Sequence, residues 1–162
     1  MAGTLLLLLL LPPLLPASML HHSGDNMAME VKNMPLKVGH TLTVTGVPNA
    51  GADRFGLNIL SGTDNAFHMS VWWKATSVGH NVDEMVIYNT YQGGVWEEEI
   101  HQGGFPFKQK ELFKFTVTLT HEEFLVILSD GSEVHFPNRL GASEYLDFTL
   151  WGGVLIRSFE IN

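Results

Sequence analysis

The chain has 162 residues, 45% of them apolar, and its 17 acidic against 9 basic side chains leave a net charge of −8 with histidine neutral. The charge is spread without long acidic runs, which favours solubility and argues against binding nucleic acid or an anionic membrane surface. There is no cysteine, so disulfide scaffolds, thiolate metal sites and thiol redox chemistry are excluded, and the length beyond an unusual N-terminus suits one domain with one core.

Residues 1–28 form a tail of different character. MAGTLLLLLLLPPLLPAS is a leucine run broken by Pro12 and Pro13, too short to span a membrane. It reads as a secretory signal peptide cleaved near Ala17 or Ser18, although no Lys or Arg precedes Lys32 to form a basic flank. The other reading starts translation at Met27 or Met29.

From 29 to 162 the pattern is all β. VKN, TLTVTGV, RFGLNIL and AFHMSVWW are short β-like runs punctuated by Gly, Pro and Asn-Ala-Gly-Ala turns. A turn-rich break, KATSVGHNVDE, precedes EMVIYNTY and the Gly93-Gly94 turn. After Phe107 come LFKFTVTLT, EEFLVILS, SEVHFPN, YLDFTLWG and VLIRSFEIN, with Ser129 to Ser132 as a hairpin turn. No window sustains a helical period. Strands at this spacing predict a two-sheet antiparallel β-sandwich, with Phe113, Phe115, Val117 and Leu119 facing the core and Lys114, Thr116 and Thr118 facing away.

The stretch from His68 to His101 concentrates the chemistry. His68, Ser70 and Trp72 alternate, so a strand aims all three at one face. Asn89 lies on the next run, and Trp96, Glu99 and His101 follow the Gly-Gly turn. A sugar presents a patch of C–H groups on one ring face and hydroxyls around its rim. A flat indole covers the first, while imidazole, carboxamide and carboxylate groups satisfy the second, each hydroxyl left unpaired on burial costing about 1–3 kcal/mol. Trp96 and Glu99 are three apart, which on a flat strand sends them to opposite faces. They can share a ligand only if Trp96 ends the Gly-Gly turn or a bulge intervenes.

The order His, small residue, aromatic, then Asn, then Gly-x-Trp-x-x-Glu, then Phe-Pro-Phe resembles the carbohydrate-recognition domain of the galectins. VKNMPLKVGHTLTVTG, GGFPF and LSDGSEVHFPNRLG are each similar to a galectin segment in the same order. The resemblance spans about residues 29–162 and implies a galectin-like jelly roll. It also implies a carbohydrate-binding lectin rather than an enzyme, no cofactor, glycans or glycoconjugates as partners, and Trp96 at the end of the turn. Sugar-binding positions carried over are His68, Ser70, Trp72, Asn89, Trp96, Glu99 and His101. Where the family has H-x-N-x-R this chain has His68, Ser70 and Trp72, and where it has W-x-x-E-x-R it has Trp96, Glu99 and His101. A guanidinium is a rigid, permanently charged fork that neither Trp nor neutral His reproduces, so Glu99 is expected to lose the cations that orient it. β-Galactoside specificity is then weakened or altered. Trp72 is a ligand platform or a plug, and the break around His80 is longer than the family's loop.

Several further expectations follow. MAMEVKNM resembles a galectin start, and galectins typically lack signal peptides, so the protein is expected outside the cell by either route of export, with a cytoplasmic pool. Terminal strands of single-domain galectins commonly pair, implying a homodimer through Met29 to Met34 and VLIRSFEIN. A galectin-related protein that has lost sugar binding and serves as a protein-interaction or structural module is the alternative. No H-E-x-x-H or G-x-S-x-G occurs. A zinc site from His68, His101 and Glu99 competes with positions where galectins bind sugar. Trp73 is expected in the core and Trp151 as simple packing.

Overall fold

The computed structural model describes residues 26–77 and 80–162, with the backbone alone for 74–77 and 80–82. Residues 1–25 of the N-terminal tail and the side chain of His80 therefore lie outside the described residues. The elements described are all strands. A six-stranded sheet has the order β1 (Met27–Val31), β12 (Asp147–Gly152), β4 (Arg54–Ser61), β5 (Asp64–Ser77), β6 (His80–Gln92) and β7 (Val95–Trp96). A five-stranded sheet has the order β10 (Glu133–Pro137), β9 (Glu123–Ile127), β8 (Phe113–Leu119), β3 (Thr41–Pro48) and β13 (Val154–Ile161). A short pair, β11 (Glu144–Tyr145) with β2 (Leu36–Lys37), completes it. Every pairing is antiparallel, and the β-sandwich read from the sequence is what forms.

The core lies between the sheets because each strand alternates. On β8, Phe113, Phe115, Val117 and Leu119 are buried while Lys114 is exposed and Thr116 and Thr118 are intermediate. On β5, Phe67, Met69 and Val71 join the core, as do Val86 and Tyr88 of β6 and Phe55, Leu57 and Ile59 of β4. Trp73 packs on that core, its indole N–H donating to the Phe107 carbonyl at 3.2 Å. Parity then sends His68, Ser70 and Trp72 to the outer face of the six-stranded sheet.

The structure corrects one reading of the chain. KATSVGHNVDE is not a turn-rich break, since β5 and β6 stay paired as far as Ser77 opposite His80. β-Branched Thr76 and Val82 fall within this paired extension, and such residues suit a pleated ladder whatever their polar neighbours suggest.

Tyr88 brings a polar group into the core. Its side chain is fully buried and its hydroxyl has no hydrogen-bond partner among the described residues. Burial, with the Asp130 charge second, pushes the phenol well above the ordinary tyrosine range. A buried hydroxyl without a partner costs about 1–3 kcal/mol, so Tyr88→Phe is expected to raise the unfolding free energy by about 1 kcal/mol in urea denaturation. A comparable loss of stability would show that the hydroxyl is bonded.

Candidate functional site

The outer face of the six-stranded sheet is assembled across four strands by register. His68 on β5 stands between Asn58 of β4 and Asn89 of β6, Ser70 between Gly56 and Ile87, and Trp72 between Arg54 and Met85. On β12, Thr149 pairs with Asn58 and Trp151 with Gly56.

His68 sits at the centre. The Trp96 ring meets it at a centroid distance of 4.9 Å and 61°, and Trp151 lies nearly parallel to it at 5.8 Å. Gly56 makes the second contact possible. A Cβ there would fall 2.2 Å from both the Trp151 indole and the Met69 carbonyl, so any larger residue would expel the ring. Trp151 is thus part of this face rather than simple packing.

Two amides bracket His68. The Asn58 carboxamide lies 2.6 Å from His68 Nδ1 and donates to Thr149 Oγ1 at 3.0 Å, and the Asn65 amide lies 2.8 Å from Asn58.

Trp96 and Glu99 reach the same face through a change of register. Gly93 and Gly94, at φ 60° and 83°, form the two-residue turn that only residues tolerant of positive φ make easily. Tyr91 then pairs with Trp96, but Tyr88 bridges Ile100. Four residue steps face three, so one extra residue is accommodated. Ile100 packs on the core, and Glu99 is turned outward with Trp96. The turn places Trp96, and the bulge brings Glu99 back to its side.

This segment is braced by Arg139, which follows β10. Its guanidinium donates to the Glu98 carbonyl at 2.8 Å and to Asn89 Oδ1 and Thr90 Oγ1 at 3.3 Å each, and lies 5.2 Å from the Phe136 ring. Burial lowers its hold on the proton, and the Glu97 and Glu98 charges oppose that. The neighbouring Asn138 fixes its approach: the carboxamide accepts from Tyr145 Oη at 2.6 Å and donates to the Ala142 carbonyl at 3.0 Å. Asn89, fully buried, donates to the Glu97 carbonyl at 3.0 Å and accepts from the Thr90 amide at 2.7 Å.

The seven residues chosen from sequence therefore share one face but not one situation. His68, Ser70, Trp72, Asn89 and Trp96 are buried, Glu99 is mostly covered, and His101 is open. Trp72 packs with Ile87 and Met85, and the Arg54 guanidinium lies 4.8 Å from its ring centre. Beside Glu99, His101 Nε2 lies 2.9 Å from Oε2, and Arg139 holds the adjacent Glu98 carbonyl. Sequence reasoning missed Arg54, Asn58, Arg139 and Trp151. The alternation of Arg54, Gly56 and Asn58 was a usable signal, but only the strand order makes it a neighbour of His68. Among the described residues no group of three or more His, Asp or Glu side chains is placed to hold a metal ion.

One measurement checks this geometry. Arg139→Gln should lower stability by about 1–2 kcal/mol and speed hydrogen exchange at the Tyr88 and Ile100 amides, while the β3–β8 ladder keeps its protection.

Comparison with known proteins gives the same architecture. The galactoside-binding lectin family matches residues 26–161. A beta-galactoside-binding lectin of Electrophorus electricus is 42% identical over 132 residues, 81% of this chain and 95% of the relative. The crystal structure of Dario rerio galectin-1-L2 superposes with a TM-score of 0.75 at 41% identity, covering 82% of this chain and 98% of that one. Congerin II, solved with lactose and MES bound, has a TM-score of 0.75 at 31% identity over 83% of this chain and 98% of its own. A family match over nearly all of the described chain, joined to the same two-sheet sandwich, shows that this protein belongs to the galectins, a family of galactoside-binding lectins and not of enzymes.

Proposed function

We propose that this protein binds glycans of the β-galactoside class on the outer face of the six-stranded sheet, with lactose-type affinity weaker than a site carrying both family arginines would have. The observation that carries this reading is the Trp96 indole set 4.9 Å from the His68 imidazole, an apolar face for a sugar's C–H groups beside a partner for its hydroxyls, with Glu99 turned to the same side by the bulge. The lactose bound by congerin II supports the ligand class.

The weakening follows from position. Trp72 and His101 stand where the family motif has arginines, and each charge-assisted hydrogen bond lost is worth about 1.5–3 kcal/mol, roughly ten- to a hundredfold in affinity. Arg54 brings a guanidinium back from the next strand, but it lies over the Trp72 ring. In this reading Trp72 anchors Arg54 instead of stacking on sugar, Ser70 forms the floor, and Asn89 acts chiefly by positioning the bulge. The full internal use of Asn89 favours the second reading, a galectin fold kept for protein contacts.

Glycan arrays and lactose calorimetry separate the two. Binding weaker than that of a Ser70→Asn, Trp72→Arg, His101→Arg variant is the expected result, and Trp96→Ala should abolish it. Tight lactose binding by the unaltered chain refutes the weakening, and no binding to any glycan moves the protein to the second reading.

We infer that the protein acts outside the cell and pairs into a homodimer. β1 and β13 are the edges of their respective sheets, and Met27 and Leu155 on them are more than half exposed. Edge strands of this kind pair readily with a symmetry mate. Sedimentation as a dimer at micromolar concentration is expected, and a monomer at high micromolar concentration would count against it.

A further inference from the structure

The pair formed by Glu99 and His101 lies just beyond the bulge, on either side of the Ile100 bridge. Nε2 and Oε2 are 2.9 Å apart, and side-chain exposure is 18% for the acid and 45% for the histidine. The carboxylate is therefore held in the site while its partner faces solvent. Beside His101, β6 contributes Glu84, Met85 and Val86 and the following loop contributes Gln102 to Phe105, all lining one shallow recess. Glu99, bonded to His101, and Glu84, lining the same recess, are both acidic, and Arg139 is engaged at the Glu98 carbonyl.

We propose that His101 is a proton-controlled positioning residue for the sugar site, so that glycan affinity rises when its imidazole is charged. This rests on the lectin reading above. A guanidinium can hold a carboxylate with one N–H and offer another to a hydroxyl at any ordinary pH. A neutral imidazole has a single N–H, which here goes to Glu99, and its other nitrogen is an acceptor. Protonation turns Nδ1 into a second donor and sets a full positive charge against the Glu99 carboxylate, which holds the pair more firmly. Imidazole is also the side chain whose ordinary titration falls between about pH 5 and 8.

The test compares variants that all retain His68, so any contribution from that imidazole is common to them. Lactose affinity is measured by calorimetry at about pH 7.5 and about pH 5.5 for the natural chain, His101→Gln and His101→Arg, with thermal unfolding as a control on folding. The acid-to-neutral affinity ratio of the natural chain should exceed that of His101→Gln about three- to tenfold. His101→Arg should bind at neutral pH at least as well as the natural chain in acid, with a ratio close to that of His101→Gln. Equal ratios in the natural chain and His101→Gln would overturn this inference and leave the lectin reading intact. Absence of lactose binding in the natural chain and in His101→Arg at both pH values would overturn both.

Discussion

Side chains along a regular strand alternate, so Trp96 and Glu99 belong on opposite sides of a regular sheet. The site depends on breaking that rule once. The extra residue between the Tyr91–Trp96 pair and the Tyr88–Ile100 bridge turns Glu99 outward and lets Ile100 fill the core. A bulge leaves backbone groups outside the ladder, and these are the groups that Asn89 and Arg139 satisfy: the Glu97 carbonyl takes the carboxamide and the Glu98 carbonyl takes the guanidinium. Two side chains that look like sugar ligands or surface charge thus serve first to hold the backbone from which Glu99 projects.

The second theme is that groups moved along the chain return through space. Arg54 is far from residue 72 in sequence, but antiparallel pairing of β4 with β5 makes the two direct neighbours, and the guanidinium settles over the indole. A cation–π contact is worth about 0.5–2 kcal/mol, more as it is desolvated, enough to favour this placement. Likewise Trp151 reaches His68 from two strands away because Gly56, on the strand between, has no side chain. The face is consequently more aromatic on the β12 side of His68 than its own strand suggests, and its central imidazole contacts two indoles.

Acidity around the bulge gives the histidine at 101 its particular character. Glu97, Glu98 and Glu99 are consecutive, yet they divide between two partners. Glu97 and Glu98 offset the burial of Arg139, whereas Glu99 meets an imidazole. Adjacent carboxylates divided between a permanent and a titratable partner give one edge of the site a fixed charge balance and the other a variable one.

Fold class was legible because it depends on local properties. Period-two alternation in FKFTVTLT, glycines at turns that need positive φ, and the absence of helical periodicity all act within a few residues, and they specify strands whatever lies beyond. The positions of His68, Asn89, Trp96 and Glu99 were legible for a related reason, as spacing along one hairpin region. The same local logic misread KATSVGHNVDE, where pairing with a partner strand outweighs polar composition. Arg54, Asn58, Arg139 and Trp151 were not legible, since each enters the site across a strand boundary or from a distant loop. The sequence by itself determined the sandwich and the kinds of side chain on its outer face. Tertiary structure alone decided which of them touch, because contact between strands is set by register, and a register offset of one residue reverses the face on which a side chain appears.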